Sequence, residues 1–438
     1  MKKRICLLLL SIPCCLLVWS DSTSFSKINK QWDFRYKGFV IGAWWGPGSK
    51  DVELKLYKEA GFNVVMIGRY MQMDDYADIE KCKRELDLAQ RHGLWVMFDT
   101  YTMNEHPWGG KAWQEPYPEK THHPASLEEL QFLCEKIGRH PALLGFLLGD
   151  DQGEVTLRTK DCTDFLFKQS KPHLIPWLCG WIPPKNLAEH NNPICDPQIY
   201  PPLKKWHLSA DRLAVEYVCN YLKWSKECKK YGILFWPMFY VAGLPGTKFN
   251  YFPSDSFIRF PAYLSLAFGA KGIWYFHYGG GSIRTVEELE TEDAVKSSGL
   301  TPVYEVVKEI NNRISSWGDM VIDKEYTEIY STAFREIPRM QMIKELQKPG
   351  RGKIIEGMDE DLIVGILEKK GKPSLAMVIN CQVSKEWNAV PYREVVIYFS
   401  QRVKKVKIWD GDKTKEIEDN EVKFDITPGS GQLIEIFK

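Results

Sequence analysis

An apolar run that ends in carboxylates is the feature that most constrains this chain. Residues 142–154 read ALLGFLLGDDQGE, in which Asp150 and Asp151 follow the apolar residues at once and Glu154 comes soon after. Such a run predicts a strand buried on both faces, as in a parallel sheet. Because α/β barrels carry their chemistry at the C-terminal ends of the strands, these carboxylates are candidate catalytic groups. The alternative is that one of them caps the following helix.

Strands and helices alternate on both sides of this run. The other predicted strands are 39–45, 62–70, 94–101, 173–181, 194–200, 233–241 and 270–278. The helices predicted between and after them are 51–61, 74–92, 127–138, 159–170, 209–230, 255–268 and 302–317. Ser126, with Glu129 three residues later, predicts a capping box. Eight strands alternating with helices predict an α/β fold, a (βα)8 TIM barrel over residues 36–317.

The sequence changes character after residue 317. Short β-branched segments follow one another, separated by turn signals such as those at 371–373 and 410–412. This pattern predicts a small C-terminal antiparallel β-sandwich over residues 318–438. Helical spacing at 334–346 suggests a connecting element before it.

The N-terminus has the composition of an export signal. Residues 2–4 are basic, and residues 6–18 form an apolar run that is too short to span a bilayer. We therefore expect a signal peptide at 1–20, a linker at 21–35 and a periplasmic or extracellular location. Cys14 or Cys15 could carry a lipid anchor, although Pro13 argues against it. No later run is long enough to be a membrane span.

Charge and motifs exclude several classes of function. The formal net charge is +1, so no electrostatic footprint for nucleic acid is present. The three glycines at 279–281 lack a phosphate-binding context, and the cysteines form no zinc-type pairs. A metal site at Glu105, His106, His122 and His123 matches no known spacing, so a surface loop is the favoured interpretation. We expect no cofactor and no metal, and the sequence leaves the oligomeric state open.

The predicted strand ends are rich in aromatic rings. Rings stack on the faces of sugars, and carboxylates and amides bind hydroxyl groups, so this composition favours a neutral polyhydroxylated ligand. For His277, a buried residue with a satisfied hydrogen bond is an equal alternative. The predicted ligand-binding residues are Trp44, Trp45, Arg69, Tyr70, Tyr101, Trp181, Gln198, Tyr200, Trp236, Tyr240, Trp274, His277 and Tyr278.

Three segments carry a resemblance to a known family. They are LGFLLGDDQG at 144–153, DPQIYP at 196–201 and GAKGIWYFHY at 269–278. With them the chain resembles the clan A (βα)8 glycoside hydrolases, particularly the β-galactosidase-like and uncharacterised secreted bacterial branches. In many such enzymes the fourth strand ends in Asn-Glu-Pro or Asp-Glu-Pro, and the Glu is the acid/base.

The resemblance implies roles for individual residues. The triplet Asp150-Asp151-Gln152 matches the fourth-strand motif, which implies that Asp150 holds a sugar hydroxyl and that Asp151 is the acid/base. Arg69 matches an active-site arginine at the end of the second strand. A carbohydrate is therefore the expected substrate.

The chain also departs from the family pattern. Asp replaces Glu at the acid/base position, and the seventh strand, 233–241, lacks the family's nucleophilic Glu. A retaining mechanism needs a second carboxylate about 5–5.5 Å away, and an inverting one needs it at about 6.5–9.5 Å. The candidates are Asp99, Glu105, Glu154 and Asp196. Asp99 is favoured, and the early position of Asp196 in its strand argues against it.

The sequence thus predicts a secreted glycoside hydrolase with paired carboxylates. We expect Asp151 to donate the proton, with its pKa raised by Asp150 and by burial among aromatic rings. Glu154 could instead be the acid, supported by the two aspartates. The alternative function is a non-catalytic carbohydrate-binding barrel that has lost its seventh-strand nucleophile.

Overall fold

The computed structural model describes residues 31–48, 50–67, 79–100, 126–169, 171–200, 208–241, 253–279, 281–285 and 291–438. Its first ten strands are β1 Val40–Ala43, β2 Val64–Ile67, β3 Trp95–Asp99, β4 Leu143–Gln152, β5 Ile175–Gly180, β6 Ile194–Cys195, β7 Gln198–Ile199, β8 Leu234–Phe235, β9 Met238–Tyr240 and β10 Gly272–Phe276. Every predicted strand of the first 278 residues contains at least one of them.

The predicted sixth and seventh strands are each divided in two. Pro197 separates β6 from β7, and Pro237 separates β8 from β9. A proline has no N–H to donate, so it interrupts the hydrogen-bond ladder at that position. Both breaks thus follow from residues visible in the sequence.

Helices lie between the strands, and all but the short α5 and α8, which were not predicted, overlap predicted helices. Ser126 and Glu129 form the predicted capping box, and Gly232 ends the sixth helix in the left-handed conformation. The helices are α1 Asp51–Glu59, α2 Ile79–Arg91, α3 Leu127–Ile137, α4 Leu157–Lys168, α5 Pro184–Glu189, α6 Ala210–Tyr231, α7 Asp255–Ala267, α8 Glu292–Ala294 and α9 Pro302–Val321. Within the described ranges, none of the helices is long and apolar enough to cross a membrane.

All pairs among the first ten strands are parallel. One sheet has the order β2-β3-β4-β5, a second has β1-β10-β9-β7, and β6 pairs with β8. A bridge between Cys179 and Asp196 joins β5 to the β6–β7 segment. At the other side, the Asn63 N–H donates to the Ile41 carbonyl at 3.1 Å, next to β1 and β2. The sheets are therefore neighbours along both of these edges.

A single inner cluster fills the space that the parallel strands face. It takes side chains from strands of all three sheets, and alternate residues of the same strands face the helices instead. Burial on both faces explains why these strands read as nearly continuous apolar runs. Representative inner residues are Val40, Val64, Met97, Leu144, Ile175, Ile194, Met238 and Trp274.

The C-terminal part contains two further sheets. The first has the order β12-β11-β14-β15-β20-β17-β18 and the second β13-β16-β19. Pairing is antiparallel, as predicted, except that β11 and β12 are parallel. Of the helical spacing at 334–346, only α10 Pro338–Gln341 is helix. The strands are β11 Glu325–Ser331, β12 Leu346–Gln347, β13 Ile355–Met358, β14 Leu362–Glu368, β15 Ser374–Asn380, β16 Arg393–Phe399, β17 Lys405–Asp410, β18 Lys413–Ile417, β19 Glu421–Ile426 and β20 Gly431–Phe437.

Both C-terminal sheets contribute to one buried cluster, and the larger sheet also packs against helix α7. All 13 residues of α7 are buried. A Cβ at Gly365 of β14 would lie 2.2 Å from the carbonyl oxygen of Ala267, so the backbones approach as closely as glycine allows. The C-terminal sheets are therefore packed tightly onto the parallel-strand region.

Candidate active site

The ends of β3 and β4 bring carboxyl groups together. Asp99 is 3% exposed and Asp150 is 7% exposed, whereas Asp151 is exposed to solvent. Asp151 adopts the left-handed conformation (φ 50°), and its N–H donates to Asp150 Oδ1 at 2.8 Å. Two consecutive carboxyl groups thus have different environments, one in the interior and one in water.

The titration of Asp150 is shifted by its surroundings. Burial raises the pKa of its carboxyl well above the ordinary value, and the charges of Asp151, Asp99 and Asp196 raise it further. The hydrogen bond from the Asp151 N–H opposes this effect in part. The neutral form of Asp150 is therefore favoured, and a neutral carboxyl carries an O–H that can donate a hydrogen bond.

The expectation that Asp151 is buried among aromatic rings is wrong. Its side chain is exposed because the left-handed turn at this residue directs it out of the strand. The Gln198 side-chain amide, at the start of β7, donates to Asp151 Oδ1 at 2.7 Å. The same amide nitrogen lies 3.4 Å from Cys179 Sγ. Gln198, predicted to bind sugar, thus orients the candidate acid.

Asp196 is a further buried carboxyl whose charge acts on Asp150. Its side chain is 2% exposed, and Oδ2 accepts a hydrogen bond from Trp177 Nε1 at 2.9 Å. Burial raises the pKa of Asp196 well above the ordinary value, although hydrogen bonds from Trp177 and Cys179 oppose the shift. Oδ1 has no hydrogen-bond partner among the described residues. The Asp196 carboxyl is therefore engaged in a buried contact with Trp177.

Asp99 and Glu154 differ in their access to the pair. Asp99 ends β3 on the same face as Met97, which belongs to the inner cluster, and its charge acts on Asp150. Glu154 follows the end of β4 and is exposed. Of these two candidates, only Asp99 belongs to the cluster of buried carboxyl groups at the strand ends.

Several tryptophans predicted to bind sugar belong to the interior. Trp274 is fully buried and stacks on Trp177 with ring centroids 4.1 Å apart, and the Trp44 ring meets Trp177 edge-on at 5.5 Å. Trp236 is 3% exposed and contacts Gly272 at the N-terminal end of β10. The prediction was wrong for Trp236 and Trp274, because both side chains lie within the inner cluster below the strand ends.

Four further predicted ligand-binding residues are also buried. Tyr278 is fully buried and packs on the opposite side from the inner cluster, so its assignment was wrong. His277 is fully buried, and Ser282 Oγ lies 3.1 Å from its Nε2. This matches the alternative stated from the sequence, a buried histidine with a satisfied hydrogen bond. Trp45 packs against His277 at 4.6 Å, and Tyr240 is fully buried. None of the four offers an open ring face for stacking.

Three predicted ligand-binding residues remain accessible near the carboxylates. Trp181 is 49% exposed, and its Nε1 donates to the Gln198 carbonyl at 3.3 Å. Tyr200 and Gln198 are half-buried. Burial raises the pKa of the Tyr200 phenol, and the charges of Cys179 and Asp150 raise it further. Seven residues named in the sequence analysis lie outside the described ranges, namely Arg69, Tyr70, Tyr101, Glu105, His106, His122 and His123.

Cys179 was missed by the sequence reasoning. Its thiol lies between Asp196 and the Gln198 amide, and so links the buried acid to the residue that orients Asp151. The two-residue period of β5, which places Cys179 on the same face as Trp177, was an available signal. Within the described parts of the chain, no group of three or more His, Cys, Asp or Glu residues could hold a metal ion.

Comparison with solved structures identifies the fold. A catalytic mutant of a family 42 β-galactosidase from G. stearothermophilus matches with a TM-score of 0.58 and 11% identity, over 92% of this chain and 99% of its own. A family 5 glycoside hydrolase from Bacteroides vulgatus matches with a TM-score of 0.52 and 14% identity, over 91% and 89%. An α-amylase from Geobacillus thermoleovorans, complexed with acarbose, matches with a TM-score of 0.51 and 13% identity, over 91% and 98%.

These matches confirm the resemblance to the (βα)8 glycoside hydrolases at the level of fold. No protein-family model matches the chain. No curated protein matches it either. At identities of 11–14% the likeness concerns the fold alone.

Proposed function

We propose that this chain is an exported glycoside hydrolase that cleaves O-glycosidic bonds of an oligo- or polysaccharide. In this proposal the parallel strands close into a barrel over residues 36–317, and residues 318–438 form a sandwich domain. The observation that carries the proposal is the pair at the end of β4, where Asp150 is buried and Asp151 is exposed beside Gln198. Two adjacent carboxyl groups in different environments can take different roles.

The buried member suits the binding of a hydroxyl group. A neutral Asp150 has both an O–H donor and a carbonyl acceptor, so it can pair with a sugar hydroxyl as an amide would. Asp151 is accessible to a glycosidic oxygen, and the hydrogen bond from Gln198 fixes its orientation. We assign proton donation to Asp151 and substrate binding to Asp150, with Trp181 and Tyr200 beside them.

The second carboxylate is proposed to be Asp99. It ends the strand next to β4, and its charge already acts on Asp150. We favour Asp99 over Asp196 because the Asp196 carboxyl already accepts a buried hydrogen bond from Trp177. Glu154 remains the second candidate because it is exposed beyond β4.

The Asp151→Asn variant tests the assignment. Asn cannot donate a proton, so turnover of a cleaved glycan should fall by a factor of about 10²–10⁴, while sugar binding persists. The matched control is Asp161→Asn, which removes an exposed carboxylate on α4. Wild-type turnover in Asp151→Asn would exclude Asp151 as the acid. Comparing Asp99→Asn with Glu154→Gln then identifies the partner, since only the true partner should cause a similar loss.

One observation favours the alternative of a non-catalytic carbohydrate-binding protein. The β9 end contains Tyr240 and Val241, both buried, and residues 233–241 contain no carboxylate. This function predicts that glycans bind without cleavage at any pH. Calorimetry combined with chromatographic analysis of the products distinguishes the two functions, because a single released sugar excludes the non-catalytic one.

Export is proposed from the N-terminal sequence alone. Cleavage after Ser20 would leave a mature protein that starts at Asp21. Mass spectrometry of the protein recovered from cells should show that terminus. A mature chain that starts at Cys14 or Cys15 and carries acyl groups would indicate a lipid anchor instead.

A further inference from the structure

A groove begins at the accessible side of the candidate site. It encloses about 940 Å³ and is lined near the strand ends by Trp181, Gln198 and Tyr200. Gln198 joins the groove to the candidate site, because its side-chain amide donates to Asp151. The opposite wall comes from α6 and from the segment that follows α10. Ligand sites usually measure about 300–1,000 Å³, so this groove is large enough for an extended ligand.

The α6 wall presents a mixed aromatic and polar stripe. Asn220, Lys223, Trp224 and Glu227 line the groove at spacings of three, four and seven residues, which places them on one helix face. Trp224 is half-buried, and the Lys223 ammonium lies 5.4 Å from the centre of its ring. An aromatic ring beside hydrogen-bonding groups is a combination that suits a sugar ring.

The charges along the groove balance. Lys223 and Lys226 are matched by Glu227 and Glu345, and Lys226 pairs with Glu345 at 2.5 Å. A strongly charged ligand would meet groups of its own sign, whereas a neutral chain would meet donors and acceptors along its whole length.

We propose that this groove binds the neutral glycan chain on one side of the cleavage point, so that the substrate is an extended neutral polysaccharide. The proposal rests on the proposed function for the site it extends. Three aromatic residues line the groove, Trp181 and Tyr200 near the strand ends and Trp224 on α6.

The test uses electrophoresis of the full chain through gels that contain a polysaccharide. The neutral probes are galactomannan, arabinogalactan, xyloglucan and mixed-linkage β-glucan, and polygalacturonate is the anionic comparison. We expect at least one neutral probe to retard the wild type and Trp224→Ala to weaken that retardation roughly fivefold, the loss expected for one aromatic contact. The effect should grow with chain length for oligosaccharides of the same polymer.

Trp387→Ala is the matched control, because Trp387 is 37% exposed and does not line the groove. If Trp224→Ala does not fold by circular dichroism, Asn220→Ala on the same stripe replaces it. The proposal fails if no neutral probe retards the wild type, if only polygalacturonate does, or if the groove variant keeps wild-type retardation. It also fails if light scattering shows a dimer that Trp224→Ala dissociates, since a second copy would then occupy the groove.

The outcomes also separate this proposal from the proposed hydrolase activity. Loss of retardation in Trp224→Ala, with no cleavage by the wild type, would establish the groove and exclude the hydrolase. Cleavage by the wild type, with unchanged affinity of Trp224→Ala for long chains, would establish the hydrolase and exclude the groove as a binding site.

Discussion

Trp274 and Trp181 are the same residue type at or near parallel strands, yet they occupy opposite environments. Trp274 is fully buried and stacked on Trp177, whereas Trp181 is 49% exposed. Both were predicted to bind sugar. The difference lies in their height along the strands, because Trp274 is in the middle of β10 and Trp181 follows the last residue of β5. Residue type alone does not distinguish a packing ring from a binding ring.

The same comparison holds for the aspartates of the two regions. Asp196, in the interior, accepts a hydrogen bond from Trp177 and favours the neutral form. Asp151, at the strand ends, is in solvent and is held by Gln198. Asp196 is therefore enclosed in the interior, whereas Asp151 at the strand ends is available for chemistry. Three predictions test this division.

Trp274→Ala should have the largest effect on stability. Removing a large buried ring leaves a cavity, and the expected loss in the free energy of unfolding is about 3–5 kcal/mol. Trp181→Ala should change it by only about 0.5 kcal/mol, because that ring is half in water. Urea unfolding of both variants measures the difference. Equal losses would show that the two tryptophans do not belong to different regions.

Gln198→Ala should reduce activity more than stability. The Gln198 side-chain amide donates a hydrogen bond to the ionisable carboxyl of Asp151. Loss of this hydrogen bond should lower kcat/KM roughly tenfold to hundredfold. As a positioning residue, Gln198 should also alter the pH profile of kcat/KM. Gln401→Ala, at an exposed position, is the control. An unchanged pH profile with lowered stability would indicate that Gln198 only supports the fold.

Asp196→Asn should produce the smallest effect, a change in how stability depends on pH. The folded pKa of Asp196 is raised above its ordinary value of 3.8, so its contribution to stability is complete below that pH and is lost as pH rises through the folded pKa. Asn does not titrate, so the fall in unfolding free energy above about pH 4 should be smaller in the variant. Urea unfolding at several pH values measures this. Parallel curves for the two proteins would contradict the assignment.

Much of the fold was predictable from local patterns. The strands appeared as apolar runs because both of their faces are buried, and the capping box of Ser126 and Glu129 is a signal contained in four residues. The β4 carboxyls were found because a polar group directly after a buried strand must lie at its end. The two divided strands were missed, although Pro197 and Pro237 were visible in the sequence.

The environment of each side chain was less predictable. A period of two tells which residues share a face, but it does not tell how far along the neighbouring strands each of them lies. Register decides this, and it pairs Trp274 with Met238 and places Trp236 beside Gly272 at the far end. The rings of Trp236 and Trp274 were therefore assigned to the wrong region. Tyr278 was misassigned for another reason, because it packs on the opposite side from the inner cluster.

The sequence by itself determined the alternation of strands and helices, the change after residue 317 and the carboxyl pair at Asp150 and Asp151, because each depends on neighbours along the chain. Only the tertiary structure decided which member of the pair is buried and what holds the other. Gln198 reaches Asp151 from 47 residues away. That contact depends on the packing of β4, β5 and β7, and packing over such separations leaves no periodic trace in the sequence.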